Sequence, residues 1–161
     1  MLSDLLSIDI FTLAVATDWS EEHKKGLSDQ YSQALAITLE DKLRSHLSAE
    51  QVTKIDALAE DPQTTDLKII EFYTKNIPHI EEVIENISLE FKKEFLLKLY
   101  DNYCTEFGEE IKHLKKQPAN DQTEQLIAKS TQAQLHWEHV LHLAKADEWN
   151  DVRNLLTTSK N

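Results

Sequence analysis

The chain is poor in residues that break or bend a backbone, with two glycines and three prolines in 161 positions. That scarcity, beside many Leu, Glu, Lys, Ala and Gln, excludes turn-rich all-β folds and favours long helices. Gly26 and Gly108 stand alone, so neither a glycine-rich phosphate loop nor the tight turn of a nucleophile elbow can be built. A single cysteine, Cys104, rules out an internal disulfide. Its neighbours Asp101, Tyr103 and Glu106 would not stabilise a thiolate, and the residue reads as a small filler.

Positive charge is also short. Acids outnumber bases 29 to 17, for a formal net charge of −12. The excess is spread evenly, with 14 acids against 7 bases up to Ile80 and 15 against 10 after it. Such a surface repels phosphates, and no basic, aromatic-interleaved stretch occurs, so direct nucleic-acid binding is not expected. Long hydrophobic runs are missing as well. The most apolar stretch, LSDLLSIDIFTLAVA, carries Asp4 and Asp9, lacks the basic region of a signal peptide and is too short to span a bilayer. A cytoplasmic address is the expectation.

What is present is helical rhythm. The N-terminal stretch is too apolar to remain in water and predicts one or two short turns packed on the body. Asp18 with Glu21 resembles a cap and its acidic partner, opening a helix from about Trp19 to His46 on the stripe Leu27, Tyr31, Leu35, Leu39 and Leu43. Ser48 and Gln51 form a capping-box pair for a short helix that buries Val52, Ile55 and Leu58, and Asp61-Pro62 ends it. Asp66 to Lys75 predicts another, with Leu67, Ile70 and Tyr73 inward. From Pro78, an N-terminal helix residue by preference, Ile80, Ile84, Ile87, Phe91, Phe95, Leu99, Tyr103, Phe107, Ile111 and Leu114 keep one phase. The spacing predicts a single helix to about Lys116, through Gly108 and on the order of 55 Å long.

Pro118-Ala119-Asn120 breaks that helix, and Asp121 with Glu124 caps the next, whose seam is Leu126, Ala133, Trp137, Val140 and Ala144. A short link between two long helices makes an antiparallel hairpin. Trp149, Val152, Leu155 and Leu156 mark a short terminal helix. The expected fold is all-α with six or seven helices in one domain, residues 1–161. Its parts are a short-helix cluster (1–76) packed on a long hairpin (77–145), and a terminal helix (147–158).

In the stretch YTKNIPHIEEVIENISLEFKKEF the chain resembles a small helical domain of unknown function that recurs in candidate-phyla bacteria. The match is in the order of parts. A short apolar N-terminal segment precedes a helix ending before LSAEQVTKIDALAED. A short helix with Leu67, Ile70 and Phe72 follows, then Ile77-Pro78, the Glu81-Glu82 pair and EFKKEF. It covers about residues 1–97 and leaves Leu99 onward without counterpart. The resemblance implies an all-helical fold and a bacterial intracellular setting, and it brings no activity to any residue.

The most distinctive stretch is HWEHVLH, residues 136–142. Three imidazoles at steps of three fan across about a third of a helix circumference, opposite the apolar seam. His139 and His142, joined by Glu138, have the spacing of weak metal ligands, but a proper site needs three or four ligands and a second shell. The di-iron bundle pattern needs Glu-x-x-His on two helices, and only Glu110-Ile-Lys-His113 fits. Metal candidates are thus Glu110, His113, Glu138, His139 and His142. Clustered histidines also titrate near neutrality, which changes surface charge without establishing a sensor. Adjacent pairs such as Glu81-Glu82 and Glu109-Glu110 diverge on a helix and read as solvated faces. Trp19, Trp137 and Trp149 are expected in the core, although Trp149, on a short terminal helix, is a candidate partner anchor.

The chain therefore reads as a small acidic, non-enzymatic binding or adaptor protein working through helix-face contacts. Its expected contact surface is Leu135, His136, His139, His142, Leu143 and Trp149, taking a protein partner or a second copy. No cofactor is implied, and a small-molecule ligand is not expected. A metal-binding helical bundle and an acidic mimic of nucleic acid are the alternatives, the second weakened by the even spread of charge.

Overall fold

A computed structural model describes residues 4–158, all of whose regular elements are α-helices. In chain order they are α1 (Asp4–Ser7), α2 (Ile10–Leu13), α3 (Glu21–Ser45), α4 (Ala49–Glu60), α5 (Asp66–Asn76), α6 (Ile80–Leu114), α7 (Asp121–Lys145) and α8 (Trp149–Thr158). The all-α expectation holds. The described residues form eight helices because the N-terminal run divides into two turns at Asp9, whose carboxylate accepts the Thr12 amide and caps α2. The chain forms two compact units, one of Met1–Lys24 with Lys92–Asn161, the other Lys25–Phe91, so the division falls inside α3 and α6.

In the unit Lys25–Phe91 the core is Leu43, Ile55, Tyr73, Ile77 and Ile87, edged by Leu39, Leu47, Leu58, Ile69, Phe72, Ile80 and Val83. The four-residue stripe of α3 does turn inward, while Ile37 on its opposite side is 70% exposed. The capping box of α4 forms in full, with Ser48 accepting from the Gln51 amide and Gln51 Oε1 accepting from the Ser48 amide. The other half of that amide group, Gln51 Nε2, donates to Asn76 Oδ1 at 2.8 Å and ties the start of α4 to the end of α5. Arg44 on α3 pairs with Asp56 on α4 and reaches Glu40 at 3.3 Å. The guanidinium pKa rises, chiefly through its hydrogen bond to Asp56.

Helix α5 differs from expectation. Tyr73 is inward, but Ile69 and Phe72 accompany it, whereas Leu67 and Ile70 are 64% and 58% exposed. The helix carries apolar residues around much of its circumference, and periodicity alone cannot choose which side is covered. The next helix begins two residues after Pro78, because His79 takes the left-handed conformation at φ 53°.

In the other unit the hairpin register follows from three contacts. Glu110 accepts from Ser130 at 3.0 Å, Gly108 faces Gln134, and Tyr103 meets Trp137. Numbers fall on α6 as they rise on α7, so the helices are antiparallel. Helix α6 passes Gly108 unbroken and ends at Leu114. Two caps sit one or two residues from their expected places. Ser20 rather than Asp18 accepts the His23 amide ahead of α3, and Asn120 rather than Asp121 accepts the Thr123 amide ahead of α7. In both cases the residue immediately before the first helical turn has the geometry to reach an unpaired amide.

The core of this unit includes Leu96, Tyr100, Val140, Ala144, Trp149 and Val152, all fully buried, and the N-terminal side chains Leu5, Leu13 and Ala16. Each large apolar side chain so buried contributes about 2 kcal/mol relative to exposure. The turn into α8 is fixed by Asp147, at φ 60°, which pairs with Lys93 at 2.6 Å and accepts from the Trp149 indole at 3.3 Å. Of the three tryptophans, Trp19 departs from the expected core position. It is 42% exposed, with the His23 ring in a T-shaped arrangement at 6.4 Å. Among the described residues no helix is long and apolar enough to cross a membrane.

Candidate functional site

Helix α7 is oriented by what it buries. Thr123, Ser130, Val140, Leu141 and Ala144 are buried, and Trp137 is half-buried against two tyrosines of α6. Its ring lies 4.4 Å from that of Tyr103 and stacks on that of Tyr100 at 5.7 Å. Burial raises the pKa of both phenols. The expected seam is correct at Val140 and Ala144, and half-covered at Ala133 and Trp137. Leu126 is 42% exposed, because the hairpin register sets it opposite Leu114, where α6 ends.

The rotation so fixed decides the histidine strip. Leu135, His139 and His142 fall within about 60° on the side away from the buried residues. Leu135 is 60% exposed and both imidazoles are exposed. His136 and Leu143 lie at the margins, half-buried. The His136 ring meets Trp137 edge-on at 5.5 Å. Its pKa is lowered, first by burial and then by the proximity of His139. Trp149 does not belong to this surface. It is fully buried, its indole committed to Asp147, so the expectation of a partner anchor there is corrected. A terminal helix with one strongly apolar face buries its aromatic residue when another segment is available to cover it, and here α7 and the N-terminal turns do so.

The metal candidates do not converge. Glu110 accepts from Ser130, His113 is exposed near the end of α6, and Glu138, His139 and His142 spread along the outside of α7. Among the described residues no three His, Cys, Asp or Glu side chains are grouped so as to hold a metal ion. Cys104 is half-buried, and its thiol pKa is raised by burial, then by Glu138 and Asp101, which keeps it protonated.

The strip of α7 can therefore offer contact: an exposed aliphatic side chain followed along the helix by imidazoles that form hydrogen bonds. Sequence reasoning missed a second exposed pair, Leu67 and Ile70 on α5, by assigning both inward. It also missed Lys92 and Tyr100 as polar groups of the core. The signal for Lys92 was its place between Leu89 and Leu96 in an apolar phase, where a lysine must find acceptors. Comparison with protein-family models, curated proteins and solved structures gives no match.

Proposed function

We propose that this chain is a non-enzymatic protein-binding or adaptor protein whose contact surface is the outward face of α7. One observation carries the reading. Leu135, 60% exposed, stands in a row with His139 and His142 on a helix whose rotation is fixed from behind by packed aromatic rings. A rigid helix face with an exposed aliphatic side chain at one end and imidazoles beyond it has the composition of a docking patch. The margins are His136 and Leu143. The net charge of −12 keeps the free protein soluble and favours a partner whose rim is basic.

A cytoplasmic setting belongs to this reading, supported by a lone protonated cysteine and, through the family resemblance, by a bacterial source. Two measurements test it together. Affinity capture from the source cells is compared between the native chain and Leu135→Asp, and the oligomeric state of each is read by sedimentation. The reading expects a partner or a second copy with the native chain, and its loss with Leu135→Asp at unchanged fold. A monomer without partner, or a partner indifferent to Leu135→Asp, overturns it.

A further inference from the structure

The N-terminal segment is short on helix and rich in burial. Its two helices have four residues each, far below the length that stands without tertiary support. Yet Leu5, Leu13 and Ala16 are fully buried, with Ala14 and Ile8 at 1% and 4% exposure. Its backbone carbonyls are taken by side chains of α6. Lys92 Nζ donates to Leu5 O at 2.8 Å and Ile8 O at 2.5 Å, and Tyr100 Oη donates to Leu13 O at 2.9 Å. Lys92, Leu96 and Tyr100 recur every four residues, so they form one row of α6. On the other side the segment meets α8, where Asn150 Nδ2 donates to Asp4 Oδ2 at 3.0 Å. Beyond α2 the chain turns at Val15, at φ 56°, a conformation costly for a β-branched residue.

We propose that residues 4–16 form a strap, docked as a bound peptide would be in an apolar groove between α6 and α8, and that it opens as a unit while α6 and α7 stay folded. Opening returns to the segment the conformational entropy that docking cost it, whereas α6 and α7 keep their own hydrogen-bond ladders and their mutual aromatic contacts. What it uncovers is the row of α6 that carries Lys92 and Tyr100, together with the side of α8 that meets α1 and α2, with the Lys92 ammonium at one end. An ammonium placed on the last carbonyls of a short helix selects for a helix C-terminus, so the groove fits an apolar segment that ends in bared carbonyls. The strap fills that site in cis. This surface is distinct from the outer face of α7, and the two readings stand or fall separately.

Amide hydrogen exchange on the full chain tests the strap. The amides of Leu13, Ala14 and Ala16 are hydrogen-bonded within the closed segment and report its opening. They are expected to exchange at least about tenfold faster than those of Leu96, Tyr100, Leu141 and Ala144. Tyr100→Phe removes one hydroxyl and should quicken the strap amides about tenfold while leaving α7 unchanged. Lys92→Met should act in the same direction and more strongly. Strap amides as slow as those of α7, or variants that quicken all amides equally, would show a fixed part of the core and overturn the proposal. If Lys92→Met does not fold, the native profile and Tyr100→Phe decide the matter.

Discussion

Tyr103 of α6 and Trp137 of α7 meet with ring centres 4.4 Å apart and planes inclined by 37°. With Tyr100 stacked on the same indole at 5.7 Å, these contacts set the rotation of α7 about its own axis, and that rotation leaves Leu135 and two imidazoles outside. Removing the ring should cost far more than removing the exposed leucine. Trp137→Ala is predicted to lower unfolding free energy by about 3 kcal/mol. Leu135→Ala, on the outer face, should stay within about 0.5 kcal/mol of the native chain. Urea denaturation of the two variants checks the contrast, and equal losses would mean that α7 is not held as described.

Gly26 lies inside α3. A methyl group placed there meets nothing within 4 Å, so only the backbone cost of glycine remains. Gly26→Ala should raise stability by about 1 kcal/mol. Gly108→Ala should gain less, since its methyl group would lie 3.4 Å from Gln134 Nε2 and displace that amide slightly. Thermal or urea unfolding of both variants reads the order.

These helices show what the sequence made legible and where it stopped. The stripe from Pro78 onward predicted one long helix and an antiparallel partner, because a three-four rhythm without phase change has a single reading. The capping box at Ser48 and Gln51 was equally clear, since two side chains must reciprocate. The side of α5 that faces the core was not legible. Leu67, Ile69, Ile70, Phe72 and Tyr73 are all apolar or aromatic, and contact with α3 and α4 decides among them. Nor could spacing foresee that Lys92 would be buried with backbone carbonyls as acceptors, because those lie 84 and 87 residues away in sequence. On α7 all three imidazoles were expected to face outward; His139 and His142 are exposed, whereas His136 is half-buried against Trp137. The reading failed at Trp149, whose covering segment comes from the opposite end of the chain.

His136 is set apart from the other imidazoles of α7 by its half-buried place beside Trp137. Burial beside Trp137 and the nearby His139 hold the His136 pKa below the ordinary histidine value. The folded chain then binds fewer protons at this site than the unfolded chain, so stability is full above the ordinary value and falls as pH drops below it. Proton NMR should show His136 titrating at lower pH than in an unstructured peptide of the same sequence. His136→Gln should lessen the loss of stability between about pH 7 and pH 5. A His136 resonance that titrates as in the peptide would remove the half-buried position assigned to it.

Photo-crosslinking in intact source cells reads the docking face of α7 most directly. Benzoylphenylalanine is placed singly at Leu135, at His139, and at Arg153 on the exposed side of α8. The account predicts one discrete adduct from positions 135 and 139 and none from 153. No adduct from either α7 position, or the same adducts from all three, would contradict it.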